Sequence, residues 1–177
     1  AAPVRDVMVS LQSGANPLFL REDELRQAME MLFYAYRDFT AEPDAILVDY
    51  GFGRAHHRVI YFVGSHPGMT VSELLGILKI TKQSLSRVLS QLINEGFILQ
   101  RTDDTDRRRR RLYLTAQGGD LERRLTERQS RWIAAAYREA GAQAVEGFRA
   151  VLRGIINEED RKRVTPPERH SDPSAAE

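Results

Sequence analysis

Between Thr70 and Thr115 a helix start, a second helix, a glycine stop and a polar-tipped hairpin follow one another with almost no slack. Thr70-Val71-Ser72-Glu73 sets a hydroxyl and a carboxylate three residues apart, so each can accept from the other's backbone N–H and open a short helix to about Leu78. After Lys79-Ile80, Thr81 can cap a second helix. Its apolar residues Leu85, Val88, Leu89, Leu92 and Ile93 recur at helical spacing along one face. Gly96 ends it in the manner of a left-handed cap. Phe97 to Arg101 and Arg110 to Thr115 read as strands, with Leu112 and Leu114 on one face of the second. Thr102 to Arg109, too rich in Asp and Arg for a core, is the tip between them.

That order is the plan of a winged helix-turn-helix, in which the second helix enters the DNA major groove. Such use needs an apolar inner face and an outer face of hydrogen-bonding side chains. The outer face here offers Lys82, Gln83, Ser84, Ser86, Arg87, Ser90 and Gln91. Arg87 can pair with guanine, and Gln83 or Gln91 with adenine. Thr81 and the serines suit phosphate oxygens. Six arginines and three aspartates fall between Arg101 and Arg111. Arg107 and Arg108 at the tip can reach a minor groove, with Asp106 holding a neighbouring arginine. Read singly, the helix is a solvated amphipathic helix and the tip a solubilising charge run; their succession favours DNA.

Elsewhere the signal is helical. Residues 1–21 carry Pro3, Gly14, Asn16 and Pro17 and read as an extended arm. Leu25, Ala28, Met29, Leu32, Phe33 and Tyr36 form a stripe in a helix that Pro43 is expected to end or bend. Arg54 to Val63 reads as a helix with Ala55, Val59, Ile60 and Phe62 or Val63 inward. Leu121, Leu125, Trp132, Ile133, Ala136 and Tyr137 mark a long helix broken at Gly141. A last helix carries Val145, Phe148, Val151, Leu152, Ile155 and Ile156, and the charged chain from Glu158 is expected to fray.

Several function classes find no support. The chain has 177 residues, 42% of them hydrophobic, a net charge of +1 and no cysteine, which removes disulfides, thiol nucleophiles and cysteine-based metal sites. His56 and His57 are adjacent and diverge on a helix, and His66 and His170 are isolated, so no metal or cofactor is expected. Gly51-Phe52-Gly53 and Gly118-Gly119 lack the context of a phosphate-binding loop. No catalytic constellation is present, so the chain is expected not to be an enzyme. No leader segment and no run of about 18 apolar residues occurs, so the expected place is the cytoplasm, without membrane contact.

The chain resembles the MarR family of transcriptional regulators over residues 22–157. The likeness lies in MTVSELLGILKITKQSLSRVLSQLINEGFI followed by DDTDRRRRRLYLT: Ser86-Arg87 within the recognition helix, Leu92 to Phe97 at its end, and Asp106-Arg107-Arg108 ahead of Leu114-Thr115 in the wing. The resemblance implies a homodimer built from the N- and C-terminal helices, pseudo-palindromic operators, and often release from DNA by a small ligand. The missing cysteines set this chain apart from thiol-sensing members.

The expected fold is therefore mainly α with a small β-hairpin wing. It divides into an arm (1–21), N-terminal dimerisation helices (22–53), a winged helix-turn-helix (54–115), C-terminal dimerisation helices (116–157) and a tail (158–177). The outer helices carry apolar stripes too long for the small lobe to cover, and a symmetry mate would bury them. Phe33, Tyr36, His57 and Tyr61 are candidates for a small-molecule effector pocket. The expected function is sequence-specific binding of double-stranded DNA as a transcriptional regulator, with repression favoured over activation. A winged-helix protein-interaction module and an arginine-rich RNA binder are the alternatives.

Overall fold

The computed structural model describes residues 17–164. The expectations for most of the arm and for the end of the tail lie outside the described residues. A 3₁₀ turn at Leu18–Leu20 leads into helix α1 (Glu22–Val48), followed by α2 (Arg54–Ser65), α3 (Val71–Leu78), α4 (Lys82–Asn94), α5 (Ala116–Ala140), α6 (Ala142–Ile155) and α7 (Glu158–Arg161). Strands β1 (Met69–Thr70), β2 (Ile98–Thr102) and β3 (Arg110–Leu114) form one antiparallel sheet with β3 in the middle. Ile98 pairs with Leu114, Gln100 with Leu112 and Thr102 with Arg110. The fold is the mainly helical winged helix-turn-helix that the residue pattern implies.

Local chemistry sets the boundaries. Thr70 N–H donates to the Glu73 carboxylate at 2.8 Å and Glu73 N–H to Thr70 Oγ1 at 3.2 Å, a reciprocal cap that starts α3. Ser84 N–H donates to Thr81 Oγ1 at 3.1 Å and starts α4. Gly96, at φ +83°, turns the chain out of α4 into β2. The core lies inside this lobe. It joins Val59, Ile60 and Val63 of α2, Leu74 of α3, Leu85, Val88, Leu89 and Leu92 of α4, and Ile98 and Leu112 of the sheet. Leu47 and the first half of α5, through Leu121 and Leu125, close it. Gly118 permits that closure: a Cβ there would stand 2.0 Å from the Phe97 carbonyl oxygen, so only glycine lets α5 lie against the end of α4.

Three expectations are corrected or extended. Of the two outcomes expected at Pro43, an ended or a bent helix, the first does not occur, because α1 runs through it to Val48. Proline removes one N–H and frees the carbonyl four residues back. That carbonyl, Phe39 O, accepts from Gln129 Nε2 of α5 at 3.5 Å, and Pro43 itself is buried. The hairpin gains a third strand, β1, because Met69 and Thr70 pair with Leu112 and Arg111. Residues from Glu158 to Arg161 form a helical turn rather than a fray, held by Arg161 Nε donating to Ile156 O at 2.9 Å and by ion pairs from Lys79.

Outside the lobe the helices stay bare. In α1 the buried residues are Thr40, Pro43 and Leu47, leaving its whole N-terminal half exposed, and α6 has no buried residue. No helix among the described residues is long and apolar enough to cross a membrane.

Candidate nucleic-acid interface

Helix α4 has the two faces the site requires. Leu85, Val88, Leu89 and Leu92 are buried, while Lys82, Gln83, Ser86, Arg87 and Ser90 are exposed. Thr81 and Ser84 are occupied with each other: Thr81 Oγ1 accepts from Ser84 N–H and donates to Ser84 Oγ at 2.8 Å. Their hydroxyls hold the helix start, and the Ser84 hydroxyl hydrogen stays available. The first turn of α4 also carries free backbone N–H groups, whose partial positive charge favours an anion.

Gln91 does not belong to this exposed face. Its Oε1 lies 2.8 Å from His56 Nε2, and its Nε2 donates to Glu95 at 3.0 Å. His56 Nδ1 already accepts from Gly53 N–H at 3.1 Å, which leaves the ring proton on Nε2 to be donated to Gln91. Phe52 stacks on the imidazole at 4.8 Å. Gln91 thus fastens α4 to the start of α2. An outward Gln and one tied to a histidine 35 positions away look alike in sequence, and only the crossing of α2 over α4 separates them.

The wing is organised by a residue the sequence did not single out. Asp103 is 5% exposed at the end of β2. Its Oδ1 accepts from Thr105 N–H at 2.8 Å and from Thr105 Oγ1 at 2.7 Å, and its Oδ2 from Arg111 Nε at 2.7 Å. The Thr105 hydrogen bonds first, and the Arg111 guanidinium after them, hold the Asp103 carboxyl far below the usual aspartate range. Arg111 reaches on to Gly68 O at 2.8 Å and ties the wing to the turn before β1. Asp106, expected as the wing support, has a smaller part: it accepts from Arg108 N–H at 3.0 Å and stands 3.6 Å from Arg109 Nε. The register places residues 101, 103, 109 and 111 on one face of the ribbon, so alternation from Leu112 could have picked out Asp103 beside Arg111. Arg107 and Arg108 are exposed at the tip, and neither they nor Arg87 joins an ion pair among the described residues.

A cavity of about 420 Å³ lies between α1, α2 and α5. Tyr36, His57 and Tyr61 line it together with Arg54, Arg58 and Gln129. Phe33 does not: it is 63% exposed and packs edge-on against Tyr34 at 5.4 Å. Arg58 donates to Tyr36 Oη at 2.9 Å, and Arg54 to Asp44 at 3.0 Å. Burial holds the His57 imidazole below the usual histidine range, against the opposing pull of Asp44 and Glu122. No cluster of three potential metal ligands occurs among the described residues.

This geometry meets a consistent set of known proteins. A MarR family model matches residues 50–109. The HTH-type transcriptional regulator PetP of Rhodobacter capsulatus is 49% identical over 144 residues, covering 81% of this chain and 87% of that protein. The crystal structure of a MarR family transcription regulator superposes with a TM-score of 0.64 at 21% identity, over 75% of this chain and 88% of that one. A mutant of S. aureus MepR bound to an oligodeoxyribonucleotide superposes with a TM-score of 0.52 at 18% identity, over 72% of this chain and 94% of that one.

Proposed function

As a member of the MarR family this chain is a DNA-binding transcriptional regulator, not an enzyme, and we propose that it grips pseudo-palindromic duplex sites as a cytoplasmic homodimer and represses transcription. The observation that carries this reading is the exposed row Lys82, Gln83, Ser86 and Arg87 on a helix whose opposite face is locked into the core. Arg87 and Gln83 read base edges, with Ser84 and Ser86 beside them. Lys82 meets base or phosphate, and the first turn of α4 meets a phosphate. Arg107 and Arg108 enter the adjacent minor groove, where negative potential concentrates. Thr81 acts through the helix start rather than by direct contact.

Two copies are invoked because one cannot cover its own apolar surface. Met29, Leu32 and Phe33 of α1, Trp132 and Ile133 of α5, and Phe148, Val151 and Ile155 of α6 are all exposed in the protomer. A twofold pairing of these helices buries them and sets two recognition helices about one DNA turn, roughly 34 Å, apart. The cavity beside α2 takes a small effector with an apolar body and an acidic group facing Arg54 and Arg58. Because α2 also carries His56, the partner of Gln91 on α4, an occupant of that cavity touches the helix that holds the recognition helix.

Selection of bound duplexes from a random library by the full chain tests the reading. An inverted repeat with half-sites about 10 base pairs apart is the expected outcome. Enrichment of an unrepeated site, or no enrichment over scrambled duplex, overturns the homodimeric arrangement.

A further inference from the structure

We propose that the acidic turn α7 braces the helix-turn-helix, and that Lys79, Glu159 and Asp160 are positioning residues for DNA binding. Lys79 occupies the connection between α3 and α4 at φ 52° and ψ 38°, the one non-glycine residue with positive φ among the described residues. A helix C-cap of that shape favours glycine, because a Cβ crowds the backbone there. What the lysine contributes is its side chain. The ammonium donates to Glu159 and, at 2.9 Å, to Asp160, both about eighty positions away in sequence. Asp160 also stands 3.3 Å from Arg163 Nε, and the Arg163 guanidinium lies beside Gly76 of α3. The carboxylates raise the Lys79 pKa, and Lys79 lowers that of Asp160.

The other end of the brace is anchored too. Arg161 Nε donates to Ile156 O at 2.9 Å and Arg153 to Val164 O at 3.0 Å, fastening α7 to the end of α6. Helix α6 packs on α5, with Tyr137 and Phe148 edge to face at 6.2 Å. A mechanical path therefore runs from α6 through α7 and Lys79 to Thr81, whose Cα is at most about 7 Å from that of Lys79. In the homodimer proposed above, on which this inference rests, α6 belongs to the pairing surface. The brace then fixes where each recognition helix starts relative to the twofold axis, and so the half-site spacing the dimer accepts. A different use of the same residues, with Lys79 on a DNA phosphate and the acidic turn competing for it, predicts the opposite sign when the carboxylates are removed.

The test uses the full chain and three probes: the duplex it selects, that duplex with one base pair inserted or deleted between half-sites, and a single half-site. Exposed ion pairs are individually weak, so the double variant E159Q/D160N is expected to lose about three- to tenfold on the selected duplex. It should also discriminate less against altered spacing and keep its half-site affinity. Lys79→Gly should behave alike without lowering the melting temperature, since glycine suits the left-handed backbone, and combining it with E159Q/D160N should add no further loss. Tighter binding by E159Q/D160N, or an equal change on half-site and full site, overturns the brace. A monomer that selects an unrepeated site removes the dimer and the brace together, whereas a dimer on an inverted repeat with unchanged spacing preference removes the brace alone.

Discussion

The helices of the winged helix-turn-helix lobe and the outer helices carry apolar faces of similar regularity, yet they end in opposite states. In α4, Leu85, Val88, Leu89 and Leu92 are all buried against α2, α3 and the sheet. In α6, an equally one-sided helix, nothing is buried, and Val151 is 63% exposed. Trp132 in the outer half of α5 is 53% exposed, while Leu121 and Leu125 in its inner half close the core. One helix thus serves both regions, complete at one end and unfinished at the other. An amphipathic pattern specifies that a face must be covered, and the surrounding chain determines whether the cover comes from the same molecule.

The comparison breaks most readily in the outer helices. Val151→Glu with Ile155→Glu places two charges on the bare face of α6. The expected result is a folded monomer by sedimentation equilibrium, with loss of the second half-site's contribution, about 10²–10⁴-fold in binding to a two-half-site duplex. An unchanged dimer would move the pairing surface elsewhere. In the lobe, Leu92→Ala is expected to cost about 2–5 kcal/mol in urea unfolding, because it opens a cavity in a closed core. In the dissociated protomer, Val151→Ala should stay within about 0.5 kcal/mol, as exposed substitutions do. Equal costs at the two sites would erase the distinction between the regions.

The same contrast governs what was legible in the sequence. Features fixed within a few residues could be read directly: the Thr70–Glu73 cap, the Thr81 cap, the Gly96 stop and the stripe of α4 each need only local spacing. What was misread depends on distant partners. The helix continues through Pro43, and the freed Phe39 carbonyl has Gln129 of α5 within 3.5 Å. Gln91 is tied inward to His56 of α2, and Asp103 organises the wing through Thr105 beside it and Arg111 across the ribbon. Residues Glu158 to Arg161 are ordered by a lysine near position 80. Phe33 shares a helical stripe with Tyr36, but of the two it is Tyr36 that lines the cavity.

Smaller effects sharpen the picture of the lobe. Arg87→Ala should cost about 1–3 kcal/mol on the selected site and relax preference at one base position, measured by titration on single-base variants. An equal loss on random duplex would reassign Arg87 to phosphate. Removing Arg107 and Arg108 together should lower the slope of log affinity against log salt by up to about two, near 0.9 for each phosphate that is no longer neutralised. An unaltered slope would take the wing tip out of the interface. The smallest effect concerns His57. Its folded pKa is lowered, so the unfolded chain takes up the proton first as pH drops below about 6.5. Stability should be full above that value and decline toward pH 5. His57→Gln should flatten that decline in urea midpoints taken at pH 7.5 and 5.5, and a parallel decline in both proteins would assign it to other groups.

The contact between Gly118 and the Phe97 carbonyl has a further consequence for the molecule's geometry. It holds the start of α5 against the exit of α4, while the other end of this 25-residue helix lies among the exposed outer helices. At 1.5 Å per residue that helix spans about 37 Å, so a tilt of about 5° around the pinned end carries the far end through about 3 Å. Were α5 to tilt as a rigid rod about that junction, minute rotations at the end of α4 would accompany ångström-scale shifts among the outer helices.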